Sequence, residues 1–161
     1  METAAKILVV DDERGIREGC RRVLRAEGHT VDTAESAELG LEMAGAQTYD
    51  LLLIDVKMPG LGGIELVRRV RHVDTDAVCL MITGYATLET AIEATRSGAY
   101  DFLPKPFTPD ELLAKVSKAL DRRWLALEAR LLREEREASL LEISAEKSRL
   151  LTIINLSLIH I

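Results

Sequence analysis

The stretch DLLLID, residues 50–55, decides the fold, because four consecutive aliphatic residues lead directly into an acidic one. A short apolar run that does not alternate with polar residues is typical of a strand buried on both faces of a parallel sheet. Three further runs have this form: KILVV (6–10), AVCLMI (77–82) and DFLP (101–104). Together the four runs predict an α/β domain built on a parallel sheet.

Each run ends at a polar residue of a type that phosphoryl chemistry uses. These residues are Asp11 and Asp12, Asp55, Thr83 and Lys105. The carboxyl ends of parallel strands meet at one edge of the sheet, where open α/β folds bind their ligands. The sequence therefore predicts that the five side chains converge in one site.

Helical patterns alternate with the strands, and a shorter, more polar strand over 29–33 is predicted near an edge of the sheet. The predicted helices cover 14–27, a segment capped by Ser36, 64–70, 87–97 and a segment that begins at Thr108–Pro109. In the second helix the residues predicted to face inward are Leu39, Leu41, Met43 and Ala44. Such alternation is typical of a doubly wound sheet with helices on both faces.

Two prolines flank the lysine that follows the last run. Pro104 precedes Lys105 and Pro106 follows it, and proline has no backbone N–H to donate to a ladder. We therefore predict that ladder pairing does not continue at Lys105. A lysine confined in this way is hard to explain as a merely solvated charge.

Composition limits the class of protein. The 161 residues suffice for one domain and an appendage, and a net charge of −6 argues against a general nucleic-acid surface. Cys20 and Cys79 are predicted to be buried, reduced thiols. The sequence shows neither a signal peptide nor an apolar stretch long enough to span a membrane. These features predict a cytoplasmic protein.

Past Pro109 the composition is that of a long helix, without glycine or proline. A three-four spacing links Leu113, Leu120, Trp124, Leu127 and Leu131, until Glu134 interrupts it. This seam predicts a coiled coil that joins two copies of the chain. The alternative is a single solvated helix whose first turns pack on the sheet. Arg122 and Arg123 are assigned to the solvated face of this helix.

The pattern predicts three segments. A domain over 1–121 is followed by a helical, coiled-coil-like linker over 122–155. The last residues, LSLIHI (156–161), resemble the translation of a sequencing adapter and are predicted to be a non-native tail, although a genuine apolar tail is the alternative. The linker would then lead into a module that this chain does not contain.

The predicted site has a distinctive charge balance. Two like charges about 4 Å apart cost about 4 kcal/mol at an effective dielectric constant of about 20. Asp11, Asp12 and Asp55 therefore require either a proton on one carboxyl or a cation among them, and oxygen ligands favour Mg²⁺. Asp55 stands alone at its strand end and is the best candidate for a nucleophile that forms an aspartyl phosphate. Lys105 would neutralise the incoming phosphoryl group.

Four motifs carry a family resemblance: VVDDE (9–13), LLLIDVKMPG (51–60), MITGYA (81–86) and GAYDFLPKPF (98–107). In this order and spacing they resemble the receiver domain of bacterial two-component response regulators, over residues 6 to about 121. The resemblance implies a flavodoxin-like sheet of five parallel strands in the order 2-1-3-4-5, with five helices. It also implies phosphotransfer from a histidine kinase or a phosphotransfer protein.

The resemblance assigns Asp55 as the phosphoacceptor. It implies that Mg²⁺ is held by Asp12 directly, by Asp11 often through water, by Asp55 and by the backbone carbonyl of Lys57. It also implies a cis peptide bond between Lys105 and the proline that follows.

The resemblance further implies a switch. Thr83 and Lys105 would contact the phosphoryl group, and Phe102 would be the aromatic residue that turns inward when the threonine moves. Tyr100 lies on the same predicted strand face and is the alternative. The face formed by the fourth helix, fifth strand and fifth helix would then repack.

Two other functions are weighed. A phosphatase of the haloacid-dehalogenase type needs a second aspartate two residues after the first, whereas Glu13 follows Asp11 at that distance. A receiver that acts as an interaction module without phosphorylation is the second alternative. On the preferred interpretation the chain is not an enzyme beyond its own phosphorylation and dephosphorylation. The missing module would be a sensory or histidine-kinase module, or else an ATP-driven transcription activator.

Overall fold

The computed structural model describes residues 3–84 and 87–159. Its strands are β1 (Lys6–Val10), β2 (Thr30–Ala34), β3 (Leu51–Asp55), β4 (Val78–Thr83) and β5 (Asp101–Pro104). Its helices are α1 (Arg14–Ala26), α2 (Ala37–Ala46), α3 (Gly63–Val73), α4 (Leu88–Ser97) and α5 (Pro109–Ile159). The strands form one parallel sheet in the order β2-β1-β3-β4-β5, which confirms the predicted flavodoxin-like topology.

The sheet is covered by helices on both faces. Alternate residues of β1 divide between two apolar clusters: Ile7 and Val9 pack toward α1 and α5, whereas Leu8 and Val10 pack toward α2, α3 and α4. All residues of β3 and β4 are buried, as expected for central strands of a parallel sheet. The two cysteines are free and buried, as predicted.

Local signals set the helix ends. The Ser36 hydroxyl accepts from the Leu39 N–H at 3.1 Å and caps α2, and Gly98 ends α4 with a φ of 102°. At the start of α5, Thr108 and Glu111 each accept from the other's backbone N–H, at 3.2 and 3.1 Å. The starts of α2 and α5 thus rest on side-chain caps that the sequence contains, whereas α1 and α3 begin without one.

The prediction that Leu39 faces inward is wrong, since this side chain is 37% exposed. The buried face of α2 consists of the small residues Ala37 and Gly40. A Cβ at Gly40 would lie 2.9 Å from a methyl group of Val10, so Gly40, rather than its neighbour Leu39, is the residue of α2 that faces the sheet. Leu39 therefore points away from the core.

The chain divides into two compact units, residues 1–124 and 125–161. In the first unit, α5 packs on the core through Leu112, Val116 and Leu120. The predicted seam is therefore wrong for its first three residues, since Leu113, Leu120 and Trp124 pack against the domain's own core. The described residues of the second unit continue α5, and from Glu128 to Ile159 every side chain is exposed. No helix among the described residues has an 18-residue window apolar enough to cross a membrane. His160 and Ile161, at the end of the predicted tail, lie outside the described residues.

Candidate phosphoryl-transfer site

The carboxyl end of β1 supplies the first two acidic residues. Asp11 is fully buried, and Asp12 is exposed. The backbone N–H of Asp11 donates to Ala34 O at 3.1 Å, which anchors the residue to β2. The Asp11 carboxylate accepts from the Glu13 N–H at 2.8 Å, so it is fixed at the start of α1.

Asp55 ends β3 and is 4% exposed. Oxygen atoms of Asp11, Asp12 and Asp55 all lie within 4.8 Å of one another. The structure thus brings together the three carboxylates that the sequence predicts at this edge. Both strands are buried on each face, so their ends have little freedom to separate the charges.

Lys105 contacts two members of this acidic cluster, and it also contacts Glu13. Its Nζ is 2.9 Å from Asp11 Oδ2, 3.3 Å from Glu13 Oε1 and 3.5 Å from Asp55 Oδ2. One ammonium is therefore shared by three carboxylates. Glu13 was not among the predicted site residues, although the run Asp11-Asp12-Glu13 places it beside them.

The backbone at Lys105 corrects the prediction that ladder pairing does not continue there. Its N–H donates to Thr83 O at 2.7 Å, directly after the Thr83–Pro104 register pair. Because β5 is an edge strand, alternate N–H groups point away from the sheet, and Pro104 lacks a donor on that outer side. The Lys105–Pro106 peptide bond is cis, as the resemblance implies.

Burial and the neighbouring charges shift the pKa values of the ionisable groups at the site. Burial, and then the charge of Asp11, raise the pKa of Asp55 to about 6. Burial also raises the pKa of Asp11, against the opposing hydrogen bond from Glu13 and the charge of Lys105. Burial lowers the pKa of Lys105, but Asp11 and Asp55 outweigh that effect and the net pKa is raised. The site thus holds more negative charge than its own cation offsets.

The donor set fits a small divalent cation. Asp11 Oδ2 is buried 2.9 Å from the Lys105 ammonium, and carboxylate oxygens of Asp11, Asp12 and Asp55 lie within 4.8 Å of one another. Three carboxylates this close repel one another more than a single ammonium offsets. Oxygen ligands of this kind favour Mg²⁺, to which the protein would offer several carboxylates and leave room for water.

The loop from Val56 to Gly62 carries Lys57, whose backbone N–H donates to the Asp55 carboxylate. The loop closes tightly, because a Cβ at Gly63 would overlap the carbonyl oxygen of Asp55. Gly63 begins α3 and was not predicted as a site residue. The glycine pair in MPGLGG was a signal for a loop, but it did not indicate which glycine touches the site.

The remaining predicted residues lie on β4 and near β5. Thr83 ends β4 and is 2% exposed. Phe102 is half-buried and packs against the cluster beneath α3 and α4. Tyr100 precedes β5 rather than lying within it, and it is 43% exposed. Phe102 therefore has the more constrained surroundings of the two aromatic residues.

The prediction that Arg123 lies on a solvated face is wrong, whereas Arg122 is exposed as predicted. Arg123 is 3% exposed and lies at the opposite end of the sheet from Asp55. Its guanidinium lies 3.4 Å from Asp50 Oδ1 and 3.5 Å from Asp74 Oδ2, and it donates to Asp76 O at 2.8 Å. The Arg123 guanidinium of α5 is therefore buried against the loops that precede β3 and β4.

The family model described as "Response regulator receiver domain" matches residues 7–117 of the chain. The chain belongs to this family. A curated relative, the C4-dicarboxylate transport transcriptional regulatory protein DctD of Rhizobium meliloti, is 33% identical over 86% of the chain and 30% of its own length. The response regulator MprA of Mycobacterium ulcerans is 41% identical over 76% of the chain and 53% of its own length.

Solved structures show the same family. NtrX from Brucella abortus superposes with a TM-score of 0.76 at 37% identity, covering 81% of this chain and 30% of that chain. A CheY-like receiver domain protein from Methanospirillum hungatei gives 0.72 at 32% identity, covering 75% of this chain and 97% of that chain. The chain thus spans a third to a half of the curated relatives it matches, but nearly all of an isolated receiver domain.

The family comprises the receiver domains of two-component response regulators. Receiver domains of this family interact with histidine kinases or phosphotransfer proteins, and they are not enzymes in the usual sense. The family typically binds Mg²⁺ at an acidic pocket, and this chain has an acidic cluster formed by Asp11, Asp12 and Asp55.

Proposed function

We propose that Asp55 is the phosphoacceptor of this receiver domain. The observation that carries the proposal is the geometry around it: a buried carboxylate at a strand end, 3.5 Å from the Lys105 ammonium and beside two further carboxylates. An oxygen of Asp55 attacks the phosphorus of a phosphohistidine on a histidine kinase or phosphotransfer protein. The new O–P bond forms as the P–N bond breaks, and the histidine nitrogen takes up a proton.

The residues that would hold Mg²⁺ are Asp11, Asp12, Asp55 and the backbone carbonyl of Lys57. When bound, the ion supplies positive charge that offsets both the carboxylates and the phosphoryl oxygens. Lys105 supplies a second positive charge from the protein itself, and Thr83 would donate its hydroxyl to a phosphoryl oxygen.

The added phosphoryl group would bring a charge of about −1.5 to −2 to the site. We infer that Thr83 moves toward it and that Phe102, packed in the cluster beneath α3 and α4, turns into the vacated space. Tyr100 is the second candidate. The surface formed by α4, β5 and α5 then repacks, which is a two-state response to a local charge.

The output would pass through the C-terminal helix. We propose that it pairs with a second copy of the chain, as the exposed leucines over 125–159 favour. Cysteine cross-linking along 120–145 tests this, and cross-linking that does not respond to a phosphodonor would contradict the coupling. The segment limits 1–121, 122–155 and 156–161, like the cytoplasmic location, stay predictions.

Labelling with acetyl phosphate and Mg²⁺ tests the proposal directly. Intact-mass spectrometry should show one added phosphoryl group on the wild-type protein and none on Asp55→Asn. An unlabelled wild-type protein would favour the phosphorylation-independent interaction module. Sustained release of phosphate from unrelated phosphomonoesters would favour the phosphatase instead.

A further inference from the structure

A side chain of α2 holds the loop that follows Asp55. Glu38 lies in the first turn of α2, and its Oε1 accepts a hydrogen bond from the Leu61 backbone N–H at 2.8 Å. This hydrogen bond is the main cause of the lowered pKa of the Glu38 carboxyl. The two partners are 23 residues apart in the chain, so the bond ties α2 to the loop that follows β3.

Gly60 shows how closely the carboxylate fits against the turn. Its φ of +84° is in the left-handed region, and a Cβ there would collide with Glu38 Oε1. The turn at residues 60–61 therefore presents both a donor and an open backbone to the same carboxylate. Two features of the loop thus accommodate the Glu38 carboxylate: the Leu61 N–H donates to it, and Gly60 leaves room for it.

The inner half of the same loop belongs to the phosphoryl-transfer site. Val56 N donates to Ile82 O at 2.9 Å, and the Lys57 N–H donates to the Asp55 carboxylate. Met58 is 8% exposed and anchors the loop in the core. The loop is therefore held by the core on one side and by Glu38 on the other.

We propose that Glu38 is a positioning residue for Mg²⁺ binding, because it holds the turn that follows the Lys57 carbonyl. The inference rests on the proposed function, in which that carbonyl is a ligand. When a fraction of the molecules has the binding geometry, the apparent dissociation constant rises in inverse proportion to that fraction. Loss of Glu38 lowers this fraction and leaves Asp55 and Lys105 in place.

The test compares the Mg²⁺ dependence of labelling by acetyl phosphate among variants. In Glu38→Ala the half-saturating Mg²⁺ concentration should rise about three- to ten-fold, whereas the maximal rate changes less than about two-fold. Glu38→Gln should restore wild-type behaviour, because its amide oxygen still accepts the Leu61 N–H. Glu42→Ala is the matched control, since it removes the same charge from an exposed position one turn further along α2.

Two measurements do not depend on labelling. In Glu38→Ala, hydrogen exchange of the Leu61 amide without Mg²⁺ should accelerate, and calorimetric titration should show weaker Mg²⁺ binding. Gly60→Ala should also weaken Mg²⁺ binding, because alanine is strained at a φ of +84° and its methyl group would push the Glu38 carboxylate off the turn.

An unchanged Mg²⁺ midpoint in Glu38→Ala would overturn the proposal. So would a Glu38→Gln protein that behaves like Glu38→Ala, because the hydrogen bond would then not be the cause. Equal effects of Glu42→Ala and Glu38→Ala would point to net charge instead. If the wild-type protein binds Mg²⁺ but is never labelled, the proposed phosphoacceptor fails, and calorimetry and exchange still decide the role of Glu38.

Discussion

The two ends of the sheet differ in how far their buried charges are compensated. At the carboxyl end, the Lys105 ammonium contacts three carboxylates, those of Asp11, Glu13 and Asp55, and Asp12 lies beside Asp11 and Asp55. At the amino end, the guanidinium of Arg123 meets two carboxylates that are 23% and 29% exposed, together with a backbone carbonyl. One end keeps an excess of negative charge out of water, and the other shares its charge with partly solvated partners.

This difference distinguishes a binding site from a group of ion pairs that only stabilises the fold. Charge that is balanced and hydrogen-bonded serves to hold elements together, since each polar group has its partner. Burial, and then the charge of Asp11, raise the pKa of Asp55 to about 6, which disfavours the folded protein at neutral pH. Such an imbalance is useful where a cation and a phosphoryl group are to be bound.

Replacement of the ammonium should have the largest effect. In Lys105→Met, labelling by acetyl phosphate should slow at least about 100-fold, because a positive charge directed at the phosphoryl oxygens is lost. The rate is measured by intact-mass spectrometry at saturating Mg²⁺. Lys118→Met, at an exposed position of α5, is the control and should label at the wild-type rate. Near-normal labelling of Lys105→Met would show that the lysine is not part of the machinery.

Replacement of the Arg123 guanidinium should lower stability and leave labelling unchanged. Arg123→Met should lower the free energy of unfolding by about 2 kcal/mol, because it leaves Asp50, Asp74 and a carbonyl without their buried donor. Arg122→Met should change it by less than about 0.5 kcal/mol. Urea unfolding monitored by circular dichroism measures both, and labelling should stay unchanged. Slow labelling at normal stability would contradict the distinction between the two ends.

A smaller effect concerns pH. Because the pKa of Asp55 is raised to about 6 in the folded protein, the protonated carboxyl favours folding, and this contribution is lost as the pH rises through 6. In EDTA, Asp55→Asn should therefore be about 2 kcal/mol more stable than the wild-type protein at pH 7.5. The two should be equally stable near pH 4. A difference that does not vary with pH would show that Asp55 carries no electrostatic strain.

The strand pattern was predictable because it depends on local sequence. Each buried run and its terminal polar residue are adjacent in the chain, and parallel strands bring such residues together at one edge. Asp11, Asp55 and Lys105 thus meet as predicted. The strand order came from the family resemblance, since periodicity does not specify which strands are neighbours.

The errors concern contacts between distant segments. Arg123 lies in a helix rich in arginine and glutamate, and its burial depends on loops near residues 50 and 74 that only the fold brings to it. Leu39 is turned outward because Gly40 packs against β1. The tight contact of Gly63 with Asp55 and the bond from Leu61 to Glu38 are likewise invisible to periodicity. Such contacts follow from tertiary structure rather than from local pattern.

The most direct test of the unbalanced acidic site is the free energy of unfolding of the wild-type protein and Asp55→Asn at pH 7.5, with and without Mg²⁺. The unbalanced charge predicts that Asp55→Asn is the more stable in EDTA. It also predicts that about 10 mM Mg²⁺ stabilises the wild-type protein more than the variant and so reduces the difference. A wild-type protein that is at least as stable as Asp55→Asn in EDTA, and that gains no more from Mg²⁺, would contradict it.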